Sequence, residues 1–409
     1  MKAMGPIPAV FAPGDDATLR IGGWTADELI DQAGGTPLFV YDNNIVGGQI
    51  ASFRAAMPDG LALHYAVKAN PYGPLLRFLA RYVDGFDVAS AGELQALRQA
   101  EVEGLPIRFA GPGKRDDEIE SAIAGAVTLN VESEGEFERA LAIAEFVGRQ
   151  PKIAVRVNPP FGIKGAGMKM GGLASPFGVD ADRAPALVKR VIESGADWRG
   201  LHIFAGSQVL SVDALIEAQR ATVAFAADIS AVAGAEPPEI NLGGGFGLPY
   251  FPGEQPLDII AVGAALTETL ANAPDSLANT RFAIELGRWL VGEAGVYLTR
   301  IIDRKHSGGR TFLITDGGLH HMLAASGNFG QLLRRNYPVA IAGRFGSEPD
   351  EDVTVTGCLC TPLDLLADDV PLPYAEPGDV VAIFCAGAYG LSASPQAFLG
   401  HPPAREMLV

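Results

Sequence analysis

Cysteine is scarce in this chain: three residues among 409, Cys358, Cys360 and Cys385, all in the last sixth of the sequence. Three is too few for a disulfide framework, and no histidines stand around them at metal-ligand spacing, so they read as free thiols and no metal is expected. Long apolar runs are missing too. No window approaches the roughly 18 uninterrupted apolar residues of a membrane span, and the opening "MKAMGPIPAVFAPGDD" lacks the apolar core of a signal peptide. The expectation is a soluble, cytoplasmic protein with no membrane partner. Basic residues are in short supply, 31 Lys and Arg against 48 Asp and Glu, for a formal net charge of −17. That balance argues against wrapping a polyanion such as DNA, although a local basic pocket is compatible with an acidic shell. Nucleic acid is not an expected partner.

What is present is a long β/α alternation. From about residue 36 to 290 the runs "PLFVYD", "LHYAVKAN", "GFDVAS", "IRFAG", "VTLNVES", "KIAVRVN", "RGLHIFAGS", "PEINLGGGFG" and "RFAIEL" are separated by amphipathic stretches such as "AGELQALRQAEVEG". Such repetition is the mark of a parallel α/β architecture, and roughly eight units close a (β/α)8 TIM barrel. Beyond residue 291 the texture changes to "GVYLTRIIDRK", "RTFLITDGG", "DVTVTGCLC" and "GDVVAIFCAG" without long helices between, which predicts a second, C-terminal antiparallel β domain over 291–409. The first 35 residues are expected to join that domain with a strand. No internal repeat or low-complexity tract stands out.

In such a barrel, chemistry collects at the carboxyl ends of the strands. At 61–78, "LHYAVKANPYGPLLRFLA" ends an apolar strand on Lys68, which predicts a stem packed among buried neighbours and an amine with chemistry to do or an anion to meet. The alternative is a capping lysine near a helix start. "NLGGGFG" at 241–247 ends another strand on three consecutive glycines, a backbone able to approach a phosphate and offer it several N–H groups, or simply a tight turn. "ELGR" at 285–288 sets Glu285 and Arg288 three residues apart. The carboxylate suits a protonated heteroaromatic nitrogen and the guanidinium a phosphate, while an internal salt bridge is the competing account. An amine, a phosphate cradle, a carboxylate and an arginine at strand ends are together what pyridoxal phosphate requires.

The motifs "YAVKAN", "LHIFAGSQ", "NLGGGFG", "ELGR", "GCLCTPLD" and "AGAYG" follow one another in the order seen in the fold-type III pyridoxal-phosphate decarboxylases, the group that contains diaminopimelate and ornithine decarboxylases. The chain resembles that group from about residue 36 to its C-terminus, and the resemblance implies an alanine racemase-like barrel over 36–290. It implies that Lys68 carries the cofactor, that Glu285 faces the pyridine nitrogen, and that Ser207, Gly244, Gly245 and Arg288 surround the phosphate, with Tyr389 adding a hydrogen bond. Arg156 in "VRVNP" matches an arginine near the cofactor, and Asp87 in "FDVAS" an acid behind it. Cys360 matches the cysteine that relatives contribute from the partner subunit to guide protonation, which implies a homodimer with shared active sites. His202 is a second proton handler near the cofactor, or a satisfied core histidine. Cys358 and Cys385 read as small buried hydrophobes.

Three positions depart from the family pattern. The histidine that relatives place against the cofactor ring is Phe204, which stacks but cannot donate a hydrogen bond. The acid that follows the cysteine and holds the far end of diaminopimelate or ornithine is Thr361, a neutral group with little reason to select a distal ammonium. A common proline is Leu286. The connection 158–180, with Lys164 and Lys169 beside Met168 and Met170, is a lid or a loop. Segment 317–339 replaces a stretch where relatives bind substrate; Arg334 and Arg335 there meet a carboxylate or phosphate, or form an exposed basic turn. Asp364 belongs to the decarboxylase pattern and is expected at the substrate. These features most resemble the branch acting on aminoacyl groups tethered to an acyl-carrier protein, and decarboxylases associated with exosortase systems. The expected activity is decarboxylation of such a glutamyl-type group. Free diaminopimelate is the alternative small-molecule substrate; a racemase fits less well, because "GCLC" and the following Asp364 belong to the decarboxylase pattern, and so does a non-catalytic regulatory homologue, because neither the lysine nor the cysteine is lost.

Overall fold

The computed structural model describes residues 2–14, 16–163, 165–172, 174–331 and 333–409, the side chain of Lys169 excepted. The chain divides into two compact units, one made of Ile50–Gly247 and Pro256–Gly287, the other of Met1–Gln49, Leu248–Gln255 and Arg288–Val409.

The first unit is a closed parallel barrel. Its strands are β1 (Ala62–Ala66), β2 (Gly85–Val88), β3 (Ile107–Phe109), β4 (Thr128–Val131), β5 (Lys152–Asn158), β6 (Asp197–Ile203), β7 (Glu239–Gly244) and β8 (Arg281–Leu286). They pair in chain order, and β8 closes on β1 with Glu285 opposite His64. The sequence explains both faces of the wall. In β5 the alternate residues Ile153, Val155 and Val157 are fully or almost fully buried and suit the helix-facing side, while Arg156 falls on the other face, level with His202 of β6. The helices between strands carry their own start and stop signals. Ser90, Ser133 and Ser211 each accept the N–H of the residue three positions on, and Gly148 and Gly234 end their helices in the left-handed conformation that glycine adopts without strain.

The second unit is built on an eight-stranded, mostly antiparallel sheet. Gly295–Ser307, its longest strand, pairs antiparallel with Arg310–Thr315, Val380–Ile383 and Leu38–Tyr41. Leu38–Tyr41 also takes Arg405–Leu408 on its other edge. Here a sequence expectation is corrected: "PLFVYD" reads as a barrel strand, yet both its edges are paired in this sheet. Its four residues are all buried, and a short, wholly apolar run does not reveal which sheet it joins. The first 35 residues fall in this unit, but among the described residues they add no strand to its sheet. They supply a two-stranded ribbon, Arg20–Ile21 with Trp24–Thr25, and the helix Ala26–Ala33. Their side chains Ile21, Leu29 and Ile30 enter one core with Val40, Val296, Leu298 and Phe384, so they cover the sheet instead of extending it.

Candidate active site

The barrel brings an amine, a carboxylate and an imidazole together at its strand ends. After β1 the chain turns through the single 3-10 turn Val67–Ala69, which carries Lys68 out of the wall. Its Nζ lies 3.4 Å from Glu285 Oε1 and 5.4 Å from the centre of the Phe204 ring. On the other carboxylate oxygen, His202 Nε2 stands 3.2 Å from Glu285 Oε2. Glu285 is buried, whereas the Lys68 side chain is 45% exposed, so the expectation of a packed lysine stem is not met: Val67 and Ala69 are buried and the lysine between them reaches out. Burial alone would raise the Glu285 carboxyl. The Lys68 charge, the His202 hydrogen bond and the Arg156 charge outweigh it and hold the group well below the usual carboxylate range.

Next to this group the backbone forms a cradle. Gly243 and Gly245 have positive φ, and a methyl on Gly245 would sit 2.4 Å from the Gly206 carbonyl oxygen. One on Gly244 would collide with the Glu285 carbonyl, so only glycine lets these strand ends approach. Val209 N donates to Gly245 O at 2.9 Å, tying the segment after Ser207 to the cradle. Close-packed backbone of this kind, with a serine beside it, fits an anionic oxygen cluster such as a phosphate.

Around this centre stand residues of a second rank. Asp87 is buried, its Oδ2 3.3 Å from His64 Nδ1. Arg156 Nη1 donates to Glu132 Oε1 at 2.8 Å and its guanidinium lies 5.0 Å from the Phe177 ring centre. Glu132 Oε2 accepts the N–H of Gly178 at 3.0 Å; burial works to raise its carboxyl, and Arg156 and Lys114 bring it below the ordinary value. The connection 158–180 is therefore anchored at its far end by Glu132, and in its middle Met168–Lys169 pairs antiparallel with Gly206–Ser207. Lys164 and the side chain of Lys169 lie outside the described residues.

Sequence reasoning missed Glu132 and Glu93. Glu132 follows a strand, and the strand-end rule that selects Lys68 would have found it. Glu93 Oε2 accepts the Ala89 N–H at 2.7 Å; burial raises its carboxyl, the Lys68 charge opposes that, and Glu285 adds to it. Its position three residues after the capping Ser90 is that of ordinary helix-start chemistry, so the sequence offers no signal that sets it apart.

The remaining candidates belong to the β unit. Arg288 Nη1 donates to Tyr250 Oη at 3.2 Å, and its guanidinium lies 4.6 Å from the Tyr389 ring centre. Cys360 is exposed, while Cys385 is buried. Cys358 is half-buried, its thiol pushed up to about 11 by burial and by Asp364, so it does not supply a thiolate near neutrality. Three expected substrate contacts have other occupations. Asp364 is buried and accepts the N–H groups of Leu319 at 2.6 Å and Leu359 at 2.8 Å, so it fixes the turn that carries Cys360. Arg334 donates to the Leu365 carbonyl at 2.9 Å. Arg335 is exposed, as the basic-turn reading expects, and it pairs with Glu254 at 3.1 Å and stacks 3.7 Å from the Phe251 ring centre, so its guanidinium already has a carboxylate partner. Thr361 is partly exposed beside Cys360.

Residues 44–292 match the family described as "Pyridoxal-dependent decarboxylase, pyridoxal binding domain". The chain belongs to this family. The L-glutamyl-(BtrI acyl-carrier protein) decarboxylase of Niallia circulans is 37% identical over 91% of this chain and 88% of its own length. The diaminopimelate decarboxylase of Methanothermobacter thermautotrophicus is 32% identical over 97% of this chain and 91% of its own. Among solved structures, diaminopimelate decarboxylase from M. jannaschii in complex with L-lysine superposes with a TM-score of 0.86 at 26% identity, covering 97% of this chain and 92% of that one. The protein is accordingly a pyridoxal-phosphate-dependent amino-acid decarboxylase, a carboxy-lyase, with the alanine racemase-like barrel and second β domain of that group. The barrel residues fit the cofactor: an amine for its aldehyde, a buried carboxylate held well below its ordinary pKa for its ring nitrogen, and a glycine run so closely packed on neighbouring backbone that no side chain projects from it. Among the described residues, no helix is long and apolar enough to cross a membrane.

Proposed function

We propose that this decarboxylase acts on a glutamyl-type aminoacyl group tethered to an acyl-carrier protein, as a homodimer whose copies share their active sites. The observation that carries the substrate is the 37% identity to a carrier-protein-linked glutamyl decarboxylase over 91% of the chain. The side chains agree with it. A substrate held through an amide and a long neutral arm has no distal ammonium, and the position after Cys360 is Thr361, without charge. Arg335 is spoken for by Glu254 and Phe251, and Arg334 by a backbone carbonyl.

In this reading Lys68 holds the cofactor's aldehyde carbon, the cradle of Ser207, Gly244 and Gly245 receives its phosphate, and Phe204 stacks on its ring. When bound, the cofactor supplies an electron sink for the pair released as the substrate carboxylate departs as carbon dioxide. Glu285 keeps that sink effective, because an ionised carboxylate stabilises a proton on the ring nitrogen facing it. Arg156, fixed by Glu132, and Asp87, beside His64, hold the surrounding charge in place. Lys68 Nζ and Cys360 Sγ carry the proton delivered to the substrate carbon where carbon dioxide left.

A second reading, action on free diaminopimelate, is favoured by 32% identity to a diaminopimelate decarboxylase over 97% of the chain. One assay separates the two: carbon dioxide release from glutamyl-loaded carrier protein, free glutamate and free diaminopimelate. Turnover of the loaded carrier at least about 100-fold faster than of either free amino acid supports the proposal. Rapid turnover of free diaminopimelate sinks it and leaves the chemistry intact.

A further inference from the structure

Glu285 is a buried carboxylate with two side-chain contacts of opposite kind. Lys68 meets Oε1 at 3.4 Å and His202 meets Oε2 at 3.2 Å. Under the reading above, on which this inference rests, Lys68 is the group that engages the cofactor, so its ammonium is no longer free to face Glu285. His202 then remains as the neighbour in hydrogen-bond reach of the carboxylate. His202 lies near the end of β6 and Phe204 just past it, and the two rings lie 6.5 Å apart. The imidazole that position 204 lacks thus stands two residues earlier, behind the carboxylate. His202 is buried, level with Arg156 of β5 and Asn241 of β7.

The protonation state can be worked out from its two nitrogens. Nε2 faces an ionised carboxylate, so a bare lone pair there would be repelled and Nε2 must carry the proton. Among the described residues, Nδ1 is buried without a hydrogen-bond partner, and a second proton would leave a buried cationic N–H without an acceptor. We propose that His202, neutral and protonated at Nε2, is a positioning residue that orients Glu285 and keeps it ionised from the side away from Lys68. The charges that reach Glu285 are those of Lys68, Arg156 and Glu93, and that of His202 itself were it protonated twice.

The test uses the holoenzyme with 15N-labelled histidine, and two variants. His202→Gln keeps a neutral N–H donor near the Nε2 position; His202→Leu removes it. Expected are a His202 resonance pair with the proton on Nε2 and a bare Nδ1 near neutral pH, assigned by its loss in His202→Gln. For His202→Leu we expect kcat to fall by about 10- to 100-fold with little change in KM, the loss of one charge-assisted hydrogen bond. Glu285 then protonates more easily, so the acid limb of kcat and the pH-dependent visible absorbance of the bound cofactor both move to higher pH. His202→Gln should restore both limbs and most of the rate. An imidazolium at His202, a Leu variant with an unshifted absorbance titration, or a Gln variant as impaired as the Leu variant would each overturn the inference. If the unaltered protein takes up no cofactor, the reading of the site fails with it; normal uptake with unmoved variants overturns this inference alone.

Discussion

A carboxylate as deeply placed as Glu285 stays ionised only because an ammonium, an imidazole N–H and a guanidinium surround it, and the sequence displays only part of that. The strand-end rule picks out Lys68, Glu285 and the glycines. It does not show that His202 touches Glu285, because that contact joins residues 83 positions apart. The same blindness applies to His320 in the β unit. Its ring is fully buried, its two nitrogens lack hydrogen-bond partners among the described residues, and the rings of His321 and His401 lie 3.7 Å and 5.3 Å away. Burial first, then those two histidines, lowers its pKa from 6.5 to about 4. A depressed histidine binds fewer protons folded than unfolded between those values, so stability is full above pH 6.5 and is lost as pH falls toward about 4. We expect the melting temperature to drop across that interval and His320→Leu to flatten the drop by at least about 2 °C, with a residual slope from His321, whose pKa burial also lowers. Thermal melts at stepped pH measure this; equal slopes in both proteins would remove His320 as the cause.

At the scale of elements, the alternation of buried strands and capped helices was legible, since eight of the nine apolar runs became barrel strands. The ninth, Leu38–Tyr41, went to the other sheet, because what decides its place is edge pairing with Gly295–Ser307 and Arg405–Leu408, residues more than 200 positions away. Likewise the glycines of "NLGGGFG" announced a turn, while the reason for them lies in a neighbouring strand end. Gly245 has φ +85° and its absent methyl would meet the Gly206 carbonyl oxygen at 2.4 Å. Gly245→Ala therefore combines a left-handed strain of about 1–3 kcal/mol with a backbone shift in the segment beside Ser207. Its cofactor affinity, followed by visible absorbance titration, is expected to weaken at least about tenfold. Gly48→Ala, a helical site with nothing within 4 Å of the added methyl, is the control expected to leave binding unchanged. A Gly245→Ala protein that binds like the control would show that the cradle tolerates displacement.

For the whole molecule, one chain read alone shows an exposed thiol but not which copy's site it would serve. Cys360 is exposed on the turn that Asp364 secures, and that turn is flanked by uncovered apolar side chains: Leu363 is 59% exposed, and Asn328, which donates to the Leu363 carbonyl at 3.4 Å, neighbours Phe329 at 44%. Apolar groups gathered next to an exposed thiol suit a surface that a second copy covers. If the proposed two-fold assembly places Cys360 of one copy at Lys68 of the other, the two residues complement each other between chains. Lys68→Ala and Cys360→Ala proteins are each expected to be nearly inactive as homodimers. When the two are unfolded together and reassembled, half of the dimers are mixed, and each mixed dimer rebuilds one site from the intact Lys68 of one copy and the intact Cys360 of the other. Such a preparation should recover about a quarter of the wild-type carbon dioxide release, as two-fold exchange requires. Recovery near zero, with mixed dimers demonstrated by mass, would mean that both residues serve from the same chain and that the shared-site assembly is wrong.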